Sequence, residues 1–352
     1  MADQGTRNLL LPFAWIYGWI MILRNLFFDF NIFRVRKFDI PIISVGNITT
    51  GGTGKTPFVE YLVRYYQEYG VKVCVISRGY KRSTENTRLV SDGKRIYGDA
   101  SVNGDEPQQI AEKFPNVLVI VDKKRVRAVD YAIKRFQPSI IILDDAFQHR
   151  SLGRNLDIVM IDGRISLPKT KMIPVGNRRE SLSGLRRADL LVFSNVSATS
   201  QQVLNSLKRY SSASSVGIKY NIKTVRSLST NQIISVTDLV GAPCIVFCGI
   251  GAPAAFRQTL TNLKVNVVEF IVYPDHHLYT IDEIENIKRY FEIRKAKYII
   301  TTEKDATRLR TLCKGEHLPL QSCYYIEVEV SFIAGETLLQ YALKEKIDRH
   351  FS

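Results

Sequence analysis

The chain has 352 residues, 45% of them hydrophobic, with 49 Lys and Arg against 34 Asp and Glu for a formal charge of +15. Those proportions exclude an unfolded chain and allow two cores of ordinary domain size. The charge points to polyanions, among them nucleic acid, membrane surfaces and phosphorylated substrates, without choosing between them. Cys74, Cys244, Cys248, Cys313 and Cys323 are odd in number, mostly lie in apolar runs and have no C-x-x-C spacing, so they read as reduced core residues rather than a disulfide or metal framework.

The first element is "NLLLPFAWIYGWIMILRNLFFDFNIFRVRKF", uncharged from Asn8 to Leu23. That run is shorter than the ~20 residues a spanning helix needs, and no small-residue cleavage site follows it. Trp15, Tyr17 and Trp19 suit the headgroup region, and Arg24, Arg34, Arg36 and Lys37 supply cationic flanks. The expectation for residues 1–37 is therefore a helix resting on a membrane, with a buried core helix and a single span as alternatives.

From residue 41 short β-branched runs alternate with helical patterns, the signature of a parallel sheet covered by helices. "IPIISV", "VKVCVIS", "VLVIV", "SIIILD", "LDIVMI" and "DLLVFS" are strand candidates. A serine-rich stretch, "SSASSVGIKYNIKTVRSLSTNQ", reads as an extended connector, after which "CIVFCGIG", "VNVVEFIV" and "KYIITTEKD" restart the alternation. A boundary near residue 225 gives domains 38–225 and 226–352.

"VGNITTGGTGKTP" ends the first strand. Glycines between a strand and a helix starting at Lys55 gather backbone N–H groups and a positive helix end around one point, which suits a phosphate chain. The pattern G-x-x-x-x-G-K-[ST] fails at Thr49 and holds at Gly54, Lys55 and Thr56. Thr49, Thr50, Gly51, Gly52, Thr53, Gly54, Lys55 and Thr56 form the expected cradle, with Lys55 on the β and γ phosphates and the Thr56 hydroxyl on Mg2+. The second anchor expected for that ion is the acidic pair Asp144 and Asp145 of "SIIILDDAFQHR", at a strand's carboxyl edge, where two carboxylates repel unless a cation is near. "NGDEPQQI" places Asp105 and Glu106 before a helix-opening proline, either as caps or as a base for a hydroxyl; "YPDHHLY" places Asp275, His276 and His277 at a strand end without metal-motif spacing.

"VGNITTGGTGKTP", "SRGYKR", "GDEP", "DDAFQHR", "GIGAPAAF", "DHH" and "TTEKDATRL", in this order from about residue 45 to 309, resemble the tetraacyldisaccharide 4'-kinases, the lipid A 4'-kinases. The resemblance implies two Rossmann-like α/β/α domains of P-loop type joined by a β-ribbon, nucleotide at their interface, and an N-terminal helix that meets the membrane. It implies transfer of the ATP γ-phosphate to the 4'-hydroxyl of an acylated glucosamine disaccharide 1-phosphate at the cytoplasmic face of the inner membrane of a Gram-negative bacterium. By motif, Asp105 looks like the base, Glu106 like a residue near the metal, Asp144 and Asp145 like the pair beside magnesium and the transferred phosphate. One histidine of "DHH", His276 ahead of His277, would reach across from the second domain to support the base. Arg78, Tyr80, Gln148 and His149 resemble residues lining the lipid headgroup site, and Arg125 and Arg179 are candidates for a phosphate. Departures from the family's pattern are Ala146, Ala252 and "RRES" at 178–181. The chain is expected to act as a monomer without nucleic acid.

Two other readings compete. A membrane-positioning P-loop ATPase shares "GGTGKT", yet such proteins usually carry lysine at the Thr50 position. "GIGAPA" fits a dinucleotide G-x-G-x-x-A, but Glu269 lies inside its strand rather than at the end, so the segment reads as a structural turn. "TEKD" resembles a guanine-reading motif with its lysine displaced by one position.

Overall fold

A computed structural model describes residues 9–79, 86–196, 200–312 and 322–351; Tyr80 and Cys313 lie outside the described residues. The chain divides into two compact units built from non-contiguous segments. The first holds Met1–Arg78, Val117–Tyr220 and Val330–Ser352, the second Gly79–Asn116 and Asn221–Glu329. Residue 225 falls inside a 14-residue strand, Ser214–Ser227, where a serine-rich connector was expected.

In the first unit β1 (Ile42–Asn47), β2 (Val73–Ser77), β3 (Leu118–Val121), β4 (Ile140–Asp144), β5 (Leu156–Asp162) and β6 (Leu190–Ser194) pair in parallel in the order β6-β5-β1-β4-β2-β3. The start of β7 (Ser214–Ser227) pairs in parallel with β6. All six expected strands are present. β1 is buried at every position, as the centre of a parallel sheet requires, which is why its sequence runs apolar without alternation. The chain moves from β1 to β2 on one side and from β4 to β5 on the other, so the carboxyl end of β1 is a topological switch point. Ile48, Phe147, Val159, Leu185, Leu191 and Phe193 pack a core beneath that edge; each such burial contributes about 1.5–3 kcal/mol before conformational entropy is counted.

The first helix, α1 (Leu11–Asp29, 19 residues), begins with Pro12 in its first turn and is long and apolar enough to cross a membrane by length and composition. It is not a core helix: only Ala14 and Phe28 are buried, while Trp15 is 70% and Trp19 68% exposed. Its polar side chains attach it to the first unit, Tyr17 donating to the Arg179 carbonyl (2.8 Å) and Asn25 to Glu180 (2.9 Å).

In the second unit β8 (Pro243–Cys248), β9 (Asn266–Val272), β10 (Tyr298–Thr302) and the start of β11 (Cys323–Ala334) form a parallel ladder in the order β9-β8-β10-β11. Gly79–Asn116 belongs here because its helix α3 (Asp105–Lys113) packs on α4 (Glu303–Leu312), with Lys113 on Glu303 at 2.8 Å. Glu269 sits within β9 and pairs with Arg294, and the Gly249 amide donates to Asp305, so the "GIGAPA" turn is internally satisfied. Cys74, Cys244, Cys248 and Cys323 are buried free thiols.

Candidate active site

In the first unit the chain leaves β1 at Asn47 and enters the helix α2 (Lys55–Glu68) through a loop whose conformation only glycine suits. Gly51 has φ 109° and Gly54 φ 80°, and a Cβ on Gly54 would fall 2.1 Å from the Tyr220 hydroxyl. The loop's carbonyls turn outward: Ser194 donates to the Thr53 carbonyl (3.0 Å) and Tyr220 to the Gly54 carbonyl (2.8 Å). Thr50 donates from its amide to Asn177, and the Thr53 amide closes on Gly51. The amides of Gly52, Gly54, Lys55 and Thr56 take no acceptor among the described residues, and three of them open α2, where the helix dipole favours an anion. Thr49, Thr53 and Thr56 are buried, whereas Thr50, Gly51 and Gly52 are exposed.

Asp144 and Asp145 close β4 beside this loop. Gly46 permits the approach, since a Cβ there would lie 2.6 Å from the Phe147 backbone nitrogen. Asp145, rather than Ala146, takes the left-handed conformation (φ 50°), so the alanine at 146 costs nothing in backbone strain. Asp145 receives Arg179 at 2.7 Å and Lys55 at 3.4 Å. Burial alone would raise its carboxyl, but Lys55 and Arg179 outweigh burial and hold it far below the usual carboxylate range. The repulsion expected between the two aspartates is thus relieved by protein cations. Asp144 accepts from Ser77 at 3.2 Å.

The remaining candidates in this unit cluster around that edge. Arg179, in the "RRES" departure, is placed on Asp145 and within 3.5 Å of Gln148. Gln148 donates to the Asn47 carbonyl and to Glu180, both at 2.9 Å. His149 is half-buried; burial first, then the Arg125 and Arg78 charges, push its imidazole down to about 3, so it is neutral. Arg78 is exposed just past β2. Arg125 departs from the expected phosphate contact: it is 2% exposed, its guanidinium donates to the Asp122 and Asp144 carbonyls, and burial lowers it to about 10. It braces the acidic strand end from within.

In the second unit Asp105 opens α3 after Gly104 (φ 89°), and its Oδ2 lies 2.7 Å from His276 Nδ1. The two residues are 171 apart in sequence yet belong to the same unit, so His276 does not need to reach from another domain as the resemblance implied. His276 adopts φ 59° with its amide on the Gly249 carbonyl; His277 turns the other way, stacked on Tyr273 and bonded to Glu283 at 2.9 Å. Asp105 Oδ2 also receives Arg308 Nε at 2.8 Å. Burial would raise this carboxyl, but the His276 hydrogen bond and the Arg308 guanidinium bring it to about 2. Glu106 is held by Lys304 Nζ at 2.6 Å, an ammonium where a metal was expected; burial would raise this carboxyl, but Lys304 outweighs burial and lowers it. Among the described residues no group of three or more His, Cys, Asp or Glu is arranged to hold a metal ion.

Glu180, Ser194, Tyr220, Lys304, Asp305 and Arg308 were missed from sequence. For two of them a signal existed: Lys304 and Arg308 recur at helical spacing i, i+4 in "TTEKDATRL", matching two consecutive carboxylates in "GDEP". Tyr220 and Ser194 act on backbone carbonyls, which no side-chain pattern announces.

A family model described as tetraacyldisaccharide-1-P 4'-kinase matches residues 6–348. The tetraacyldisaccharide 4'-kinase of Chlorobium phaeobacteroides is 37% identical over 349 residues, 97% of this chain and 98% of its own. That of Chlorobaculum parvum is 35% identical over 350 residues, covering 97% and 96%. A crystal structure of LpxK from Aquifex aeolicus in complex with ATP is similar with a TM-score of 0.77 at 30% identity, covering 99% of this chain and 100% of that one.

Proposed function

The chain belongs to the tetraacyldisaccharide-1-phosphate 4'-kinase family, and from that premise we propose how its residues carry the reaction. It is an ATP-dependent kinase of lipid A biosynthesis that phosphorylates the 4'-hydroxyl of tetraacyldisaccharide 1-phosphate. The observation that carries the reading is the cradle Thr49–Thr56, with open amides facing an acidic edge already neutralised by Lys55 and Arg179.

In this reading the amides of Gly52, Gly54, Lys55 and Thr56 hold the nucleotide's phosphates, and the Lys55 ammonium moves from Asp145 onto the γ-phosphate as charge builds in the transition state. Asp145 keeps Lys55 aligned until then. Thr56 and Asp144 offer the hard oxygen donors that suit Mg2+, which takes few protein ligands beside phosphate and water and supplies charge neutralisation when bound. Glu106, occupied by Lys304, is left out of that set.

The acceptor hydroxyl loses its proton as its oxygen bonds to the γ-phosphorus and the bond to the ADP oxygen breaks. Asp105 by itself, at about 2, is too weak a base for this at neutral pH; His276 Nδ1, on the same hydrogen bond, is the partner with which it takes up the proton. Arg78, Gln148, His149 and Arg179 are the contacts proposed for the phosphorylated sugar headgroup, with Tyr80 included on its motif alone. Neutral His149 donates or accepts one hydrogen bond without adding charge.

The exposed face of α1, with Trp15 and Trp19, rests on the cytoplasmic face of the inner membrane, where an acylated acceptor resides. Residues 1–37 serve that attachment, 38–225 carry the cradle and 226–352 carry His276; Gly79–Asn116, which clusters with the last part, and Val330–Ser352, which clusters with the first, are exceptions. The chain works as a monomer. Incubation with labelled ATP, Mg2+ and the disaccharide 1-phosphate should give a bisphosphorylated lipid; ATP turnover equally fast without acceptor would support a switch ATPase instead.

A further inference from the structure

The "TTEKDATRL" segment has no place in the mechanism above, yet its Arg308 contacts Asp105 and its Lys304 contacts Glu106. It closes β10 and opens α4, at the carboxyl edge of the second parallel sheet. Asp305 is fully buried and satisfied on every side: it accepts from the Gly249 amide (3.1 Å), the Tyr279 hydroxyl (2.9 Å), the Thr302 hydroxyl (2.6 Å) and Arg308 Nη1 (2.8 Å). Arg308 has a side chain 2% exposed; Nη1 also donates to the Gly249 carbonyl (2.7 Å) and Nε donates to Asp105 Oδ2 (2.8 Å), while Nη2 lies 2.7 Å from the same oxygen as an ion pair without hydrogen-bond geometry. One turn earlier on the same helix, Lys304 holds Glu106.

We propose that Arg308, locked by Asp305, is the positioning residue of the Asp105–His276 pair, and that Lys304 does the same for the neighbouring Glu106, so that "TEKDATR" aligns the base for the phosphoryl acceptor. Residues i and i+4 of one helix face two adjacent carboxylates of another, which fixes the rotation of α3 about its axis. The planar fork fixes Asp105 in a way a point charge does not. Both side-chain hydrogen bonds of Asp105 among the described residues fall on Oδ2, so on this reading Oδ1 is the oxygen left to accept the hydroxyl proton. The Gly249 amide and carbonyl are both taken by this network, which also carries the His276 amide, so Arg308 orients both members of the pair from one anchor.

The inference rests on Asp105 and His276 being the base, and its test separates the two claims. Full-length Asp105→Asn, Arg308→Met, Arg308→Lys and Lys304→Met proteins are assayed with ATP and the disaccharide 1-phosphate in detergent micelles, with melting curves as the folding control. The charged groups facing Asp105 are His276 from its loop and Arg308 from α4, with Asp305, Glu106 and Lys304 behind them. Arg308→Met should lower kcat about tenfold or more, leave the KM for ATP within about twofold, and move the acid limb of kcat/KM upward by about one pH unit as Asp105 loses its guanidinium. Arg308→Lys should recover part of kcat and of the shift, and Lys304→Met should have a smaller effect in the same direction. Should Arg308→Met fail to fold, the lysine variant and Lys304→Met are read by the same criteria. A folded Arg308 variant with wild-type kcat and an unmoved limb, beside an inactive Asp105→Asn, overturns the positioning role alone. Wild-type turnover in Asp105→Asn overturns the base and this inference with it.

Discussion

The two units carry the same device put to opposite uses. Each has a parallel sheet with a glycine turn after a central strand, Gly51–Gly54 after β1 and Gly249 after β8. After β1 the amides of Gly52, Gly54, Lys55 and Thr56 stay open among the described residues, and the Thr53 and Gly54 carbonyls are tied back by Ser194 and Tyr220. After β8 the Gly249 amide is closed onto Asp305 and its carbonyl onto Arg308, leaving a rigid, charge-balanced frame. On the function proposed above, a βα turn serves as a phosphate site or as a scaffold for a proton acceptor according to whether a buried carboxylate occupies its amides.

The sharpest way to break this contrast is to remove the single reacting group of each side. Lys55→Ala should cost about a thousandfold or more in kcat, and Asp105→Ala about a hundred- to ten-thousandfold, each measured with labelled ATP. A residual rate near wild type in either would remove that unit from the chemistry. Next in size is Gly54→Ala, which puts a Cβ against Tyr220 at a left-handed residue. Strain of about 1–3 kcal/mol and loss of nucleotide binding are expected, read from melting curves with and without ATP; unchanged ATP stabilisation would mean the loop does not hold phosphate.

A third test uses acid. The Asp105 carboxyl is lowered to about 2 in the fold, so it binds its proton less readily there than in the unfolded chain at ~3.9. Its stabilising contribution is therefore complete above about pH 4 and is lost as pH falls toward 2. The stability gap between wild type and Asp105→Asn should narrow over that window, and a gap constant from pH 5 to 2 would contradict the pairing. His149 acts with the same sign over a different window: lowered to about 3 from an unfolded ~6.5, it penalises the first unit as pH drops between those values. The smallest effect belongs to Tyr220→Phe, which frees the Gly54 carbonyl at a cost of about 1 kcal/mol and a severalfold rise in the KM for ATP. An unchanged KM would show that the loop holds its shape without the tyrosine.

Much of the first unit was legible in the chain itself, because its information is local. Apolar runs such as "IISV" and "IIILD" specify buried parallel strands, and glycine and lysine spacing specifies the cradle within eight residues. Membership of the second unit was not legible: Gly79–Asn116 joins residues more than a hundred positions away because α3 finds its packing and charge partners on α4. Arg125 looked like a ligand and proved a brace, since burial, which decides the role of an arginine, is not written at its own position.

The sequence by itself determined the alternation of strands and helices, the glycine turn before Lys55 and an apolar helix flanked by cations, since each rests on steric and solvation preferences of neighbouring residues. Tertiary structure alone decided which carboxylates are paired and by what: Lys55 and Arg179 on Asp145, and His276 and Arg308 on Asp105, the last 203 positions apart. Coulomb attraction in a dehydrated interior depends on distance through space, and no residue's chain position fixes that distance.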